Sequence, residues 1–206
     1  MHVLPDSITD DQGALLELLS VAVHAVRRSG MAAGDSASIV GAGPIGLVTL
    51  AAARAASAGE IFIVERATAG KDKARTGDAH HVVDPADGDP VQQIQALTPG
   101  GLGVDVACER VGHAVTLNVA LEAIRKGGTA AIVGVLEEPF SVHFNDLVLS
   151  ERTLVGVLGY VDDSPCAIAL LADGRLSADP LITSRVAWTT RSRMASASSS
   201  ATRTST

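Results

Sequence analysis

Gly41-Ala42-Gly43-Pro44-Ile45-Gly46 follows the apolar run Ser38-Ile39-Val40, and Glu65 closes a second run, Ile61-Phe62-Ile63-Val64. Residues of these types in this order suit the binding of a dinucleotide. Gly41 permits a tight strand-to-helix turn, Gly43 lets a pyrophosphate approach the backbone, and Gly46 lets the helix pack closely on its strand. The helix N-terminus then faces the phosphates with unpaired amides and the positive end of its dipole. Pro44 has no N–H, so the donors there are expected from Ile45 and Gly46. The Glu65 carboxylate can accept both hydroxyls of an adenosine ribose and repel a 2'-phosphate. Arg66 beside it favours such a phosphate. The carboxylate is given the greater weight, and NAD is the expected cofactor.

Other chemical constellations are missing or misplaced. Cys108 and Cys166 have the spacing of neither a zinc knuckle nor a redox pair; each sits among apolar neighbours, as a buried thiol would, and suits a reducing cytoplasm. The sole tyrosine, Tyr160, has Ser164 where a Tyr-x-x-x-Lys proton-transfer pair needs lysine. Val40 stands before the glycine turn, where a methyltransferase usually carries an acid. His80-His81 enters a strand and His24 lies on a helix, so no histidine group reads as a metal site.

The elements that must position the turn follow from patterning. With 206 residues and 47% hydrophobic content, the chain can bury a core as one domain. A formal charge of -7 argues against a nucleic-acid partner, since no basic stripe is present. The opening Met1-His2-Val3-Leu4-Pro5-Asp6 lacks the regions of a signal peptide. Ser36 through Ala53 is uncharged, but Gly41, Gly43, Pro44 and Gly46 break it into strand, turn and helix, so no membrane span is expected.

Thr9 or Asp10 can cap a helix running to about Arg28, with Gly30 as its stop. Strand 37–40, helix 45–56, strand 61–64, a helix through Ala74 and strand 81–83 form a βαβαβ half, ended by Asp84-Pro85. Helix 91–96, strand 104–108, helix 114–125 and strand 129–133 repeat the rhythm, with Lys126-Gly127-Gly128 as a turn; strand 153–158 and helix 165–171 follow. This alternation implies an α/β fold with a doubly wound parallel sheet of Rossmann type, preceded by an N-terminal helix. From Thr189 onward the chain is mostly serine and threonine and is expected to be a disordered C-terminal tail.

The ordered segments Gly13 to Glu17, Ala22 to Arg28, Gly41 to Leu47, Gly103 to Ala107, Gly127-Gly128-Thr129, Val133-Gly134-Val135, Phe144 to Leu149, Leu154 to Tyr160 and Pro180 to Arg185 resemble the zinc-dependent medium-chain dehydrogenases. The segment from Asn145 to Tyr160 is most similar to the sorbitol and 2,3-butanediol dehydrogenase branch. The resemblance implies a linking helix over 1–30, remnant of a catalytic domain; an NAD-binding Rossmann domain over 31–187; and a tail over 188–206. It further implies NAD-linked oxidation of a secondary alcohol or diol to a ketone, with a possible homo-oligomer in the cytoplasm.

On named positions, the resemblance implies that Gly41, Gly43, Pro44, Ile45 and Gly46 hold the pyrophosphate, with Glu65 and Arg66 at the adenosine ribose. It implies that Val111, Gly112 and His113 wall the adenine side. Val133, Gly134, Val135, Gly156 and Val157 would line the nicotinamide, with Val21 under the ring; for the apolar residues an ordinary core role is an equal alternative. Glu17 maps onto the catalytic zinc site, where it alone cannot hold a metal, because a tetrahedral zinc needs about three protein ligands. The family's other ligands lie upstream of the positions this chain matches, so zinc retention is not expected. Arg110 replaces a cysteine-like residue of the family and is expected to place a charge near the adenine end. A cofactor-binding unit without catalysis is the alternative expectation.

Overall fold

The computed structural model describes residues 2–182, 184 and 185. The expected tail over 188–206 lies outside the described residues, as does the end of the expected Rossmann domain at 186–187. The sheet has six parallel strands in the order β3-β2-β1-β4-β5-β6. These are β1 (Ala37–Val40), β2 (Ile61–Val64), β3 (His81–Val83), β4 (Val104–Glu109), β5 (Ile124–Ile132) and β6 (Thr153–Gly156). The doubly wound α/β fold expected from the sequence is the one observed. Its order reverses between β1 and β4, which opens a crevice outside their carboxyl ends.

β1 and β2 are buried throughout, as strands covered on both faces must be. One apolar layer joins Ile39, Ile63, Cys108 and Ala131 of the sheet to α2 (Leu16–Ser29), α3 (Pro44–Ala55) and α8 (Ser164–Ala172). The opposite layer joins Phe62, Ala107 and Ala130 to α5 (Pro90–Leu97) and α6 (Ala114–Ala123). Helix α4 (Thr68–Thr76) connects β2 to β3.

The N-terminal helix is divided. Thr9 caps α1 (Asp10–Gly13) through a reciprocal pair with Gln12, and α2 begins after a break at Ala14-Leu15. Gly13 sits against Leu4, whose Cδ1 would lie 2.7 Å from an added Cβ. Helix α2 ends at Gly30, whose left-handed φ of 73° makes glycine the suitable stop. Asp163 ties α2 to the start of α8 by accepting from His24 Nδ1 and Arg27 Nη1, both at 2.7 Å.

Two other boundaries differ from the sequence reading. Helix α6 stops at Ala123, and Ile124 already pairs with Val104, so the expected turn at 126–128 lies within β5 as an irregularity. The cause is a close backbone approach: a Cβ at Gly103 would lie 2.2 Å from the Ala123 carbonyl oxygen. A short helix, α7 (Phe144–Val148), precedes β6 without an expected counterpart.

Candidate cofactor-binding site

The turn from β1 into α3 forms as its glycines require. Gly41 has a φ of 100°, and a Cβ at Gly46 would stand 1.9 Å from the Gly41 carbonyl oxygen. No residue but glycine fits at Gly46 without moving that backbone. At Gly43 an added Cβ would meet no atom within 4 Å, and Gly43 and Pro44 are exposed, so this position opens outward. Among the described residues, no acceptor within the protein meets the amides of Gly43, Ile45 or Gly46. These donors stand at the N-terminus of a 12-residue helix, where an anionic phosphate is favoured.

Glu65 follows β2 and already serves the turn. Its Oε2 accepts from the Ala42 amide and its Oε1 from the Ala67 amide, both at 2.7 Å. A carboxylate has about four lone-pair sites, which leaves capacity for a ribose diol. Gly70 gives it room: a Cβ there would lie 2.8 Å from Glu65 Cγ. The Lys71 ammonium on the same helix pairs with Asp84 and holds that carboxyl below the ordinary carboxylate range, so it is committed away from Glu65.

Gly41, Glu65, Arg66, Val111, His113 and Thr116 line one open cleft of about 540 Å³ at the carboxyl ends of β1, β2 and β4. The structure thus brings Gly41 of the turn together with the expected ribose residues and with Val111 and His113, whereas Gly43 and Pro44 line a separate pocket with Leu15, Leu18 and Leu47. Arg110 does not line it. Gly112, with a φ of 80°, is where the loop after β4 meets the loop after β5: a Cβ there would stand 2.4 Å from the Val135 carbonyl oxygen. Val133, Gly134 and Val135 therefore flank this crevice, and the Val133 amide donates to the Glu109 carbonyl at 3.0 Å. Val135 is exposed, Val157 is buried in the core and Gly156 is open to solvent. Val21 is buried on α2.

Glu109 was not singled out in the sequence, yet it builds the β4–α6 loop. Fully buried, its Oε1 accepts from the amides of Val111 (2.8 Å) and Gly112 (2.9 Å) and from Thr116 Oγ1 (2.7 Å). The available signal was an acid directly after an apolar strand run.

Glu17 is exposed in the first turn of α2. Among the described residues, no three His, Cys, Asp or Glu side chains group as a metal site. These residues do not fit a zinc ion. Cys108 is buried, and burial pushes its thiol up from the ordinary range; Cys166 is partly buried, and both are free. No helix among the described residues is long and apolar enough to cross a membrane.

The strand order, the glycine turn and the acid after β2 define a nucleotide-binding Rossmann domain. Residues 44–173 match the zinc-binding dehydrogenase family, and the chain belongs to it. The (R,R)-butanediol dehydrogenase of Bacillus subtilis (strain 168) is 41% identical over 183 residues, 89% of this chain and 52% of that protein. The sorbitol dehydrogenase of Bos taurus is 35% identical over 186 residues, again 89% and 52%. The chain spans about half the length of the curated relatives it matches.

Among solved structures, the 2R,3R-butanediol dehydrogenase from Bacillus subtilis matches with a TM-score of 0.83 and 41% identity, covering 87% of this chain and 51% of that one. A protein assigned as a zinc-binding dehydrogenase from Sinorhizobium meliloti 1021, solved bound to NADP, matches with a TM-score of 0.79 and 32% identity, covering 85% and 52%. The resemblance to the zinc-dependent dehydrogenases and its butanediol and sorbitol branch is therefore borne out at the level of relatives.

Proposed function

We propose that this chain binds NAD in the crevice between the carboxyl ends of β1 and β4, as the cofactor domain of an oxidoreductase acting on secondary alcohols or diols. One observation carries the reading: the Glu65 carboxylate is held by the Ala42 and Ala67 amides at the edge of the open cleft that Gly41 also lines. There it meets a ribose diol with acceptors and a 2'-phosphate with like charge. The amides of Ile45 and Gly46 supply phosphate donors. When bound, the nicotinamide accepts hydride from the alcohol carbon. The alcohol substrate is inferred from the butanediol and sorbitol dehydrogenase relatives.

A second reading, a dinucleotide-binding unit that does not turn over an alcohol by itself, is supported by Glu17. It is exposed, and no other ligating side chains are grouped with it among the described residues. Isothermal titration with NAD and NADP, joined to zinc analysis and a butanediol and sorbitol turnover assay on one sample, tests both. Saturable NAD binding without turnover favours the second reading, and zinc-dependent turnover favours the first. Lack of NAD binding at millimolar concentration overturns both.

A further inference from the structure

Arg110 follows Glu109 at the carboxyl end of β4, and its amide continues the sheet by donating to the Val40 carbonyl at 3.1 Å. All three nitrogens of its guanidinium are buried and have no hydrogen-bond partner. Strand side chains alternate between faces. Glu109 turns toward α6, where Thr116 meets it, and Arg110 shares the face of Cys108, whose thiol acts on the guanidinium. That face is the apolar layer in which Val157 is buried and against which Val133 packs. Burial pulls the guanidinium below its usual range, yet an arginine remains charged at neutral pH. Glu109 commits one oxygen to Val111, Gly112 and Thr116 on the other face; its Oε2 is buried without a hydrogen-bond partner, and its charge acts on the guanidinium without a direct ion pair.

In a doubly wound sheet each mononucleotide half takes one nucleoside of a dinucleotide. The cleft at Glu65, walled by the ends of β1 and β2 and by Val111 to Thr116 after β4, assigns adenosine to one side of the crevice, which leaves the nicotinamide to the side of Val133 and Val157, whose face Arg110 shares. We propose that Arg110 sets the cofactor's redox preference: a fixed cation beside the nicotinamide half favours the reduced over the oxidised dinucleotide. The inference rests on the dinucleotide reading above. The oxidised ring carries a positive charge that hydride addition cancels, so NADH has one more net negative charge than NAD. At a separation of about 10 Å and an effective dielectric of about 20, one unit charge changes relative affinity by about tenfold.

The test is titration of the unmodified chain, Arg110→Met, Arg110→Gln and Arg110→Lys with NAD, NADH and ADP-ribose, which lacks the nicotinamide. The ratio Kd(NAD)/Kd(NADH) is expected to fall about tenfold in Arg110→Met and Arg110→Gln and to persist in Arg110→Lys. ADP-ribose affinity should stay within about twofold throughout, as expected for a charge felt mainly at the ring. An unchanged ratio in the neutral variants overturns the proposal. So does a parallel loss of ADP-ribose and NADH binding, which would assign Arg110 to the phosphates. If the unmodified chain binds none of the three ligands, the dinucleotide reading falls, and this inference with it.

Discussion

Replacing Glu65 by alanine separates its two tasks, because each has its own magnitude. Toward the protein, the carboxylate accepts two amide hydrogen bonds at 2.7 Å. Bonds to a charged acceptor are worth about 1.5–3 kcal/mol each when buried. Glu65 is half-buried, so about 1 kcal/mol apiece, or about 2 kcal/mol together, is the expected loss of folding stability. Toward the cofactor, a like charge about 6 Å away at an effective dielectric of about 20 costs about 3 kcal/mol, on the order of a hundredfold against a 2'-phosphate. Isothermal titration of the unmodified chain should therefore give a lower Kd for NAD than for NADP. Glu65→Ala should narrow the ratio at least about tenfold, because Arg66 remains to favour the phosphate. The discrimination should also shrink as salt is raised, since the cleft is open. Equal Kd values for the unmodified chain, or a ratio that Glu65→Ala leaves in place, refute the assignment.

Gly46→Ala, with its Cβ 1.9 Å from the Gly41 oxygen, should lower stability by about 2–4 kcal/mol in thermal unfolding. Gly43→Ala, with nothing within 4 Å, should leave stability near that of the unmodified chain while weakening NAD. Asp163→Ala strips the acceptor from His24, Arg27 and the Val161 amide at a side chain only 2% exposed, and should cost about 2–4 kcal/mol by denaturant titration. At Asp105 burial raises the carboxyl pKa, but hydrogen bonds from Ser36 and Arg125 outweigh it and hold the group below the ordinary 3.8. Because the folded value is the lower one, this stabilisation is present above the unfolded pKa and is lost as pH falls through the folded one. The stability gap between the unmodified chain and Asp105→Asn should therefore be constant from pH 7 to about 5 and close below about pH 4, as measured by denaturant melts.

The strands were legible because short β-branched runs covered on both faces carry few polar residues and end at glycines or acids. β1, β2 and β3 match their expected limits. The irregularity at 126–128 falls where the glycines put it, but the helix before it ends at Ala123 rather than Arg125 and the strand begins at Ile124 rather than Thr129, because the deciding contact joins Gly103 to Ala123, far apart in sequence. Helix α7 carries exposed Phe144 and Val148 and too few residues for a period to emerge. At the candidate site, the glycine turn and the acid at the end of β2 were legible from spacing. That Glu65 bonds the Ala42 amide was not, since it depends on two loops converging. Glu109 and Arg110 look alike in sequence as a charged pair after a strand. Strand alternation sends them to opposite faces, one hydrogen-bonded and one without a partner.

This asymmetry extends across the crevice and carries a last prediction. The half proposed for adenosine is walled by groups that hold one another: Glu65 by Ala42 and Ala67, Val111 and Thr116 through Glu109. In the other half Val135 is 76% exposed, and a Cβ at Gly156 would meet no atom within 4 Å. A ligand segment lying there gains little burial, and burial of apolar area supplies about 25 cal/mol per Å². Arg110 opposes the cationic ring as well. ADP-ribose should therefore bind at least as tightly as NAD, because the shared portion contributes nearly all of the affinity and Arg110 opposes the ring. Titration of both ligands against one preparation measures this. If NAD binds more than about thirtyfold tighter than ADP-ribose, a gain of about 2 kcal/mol, the nicotinamide has enclosing contacts in this chain. Such a gain would contradict the exposure of Val135 and the electrostatic role given to Arg110.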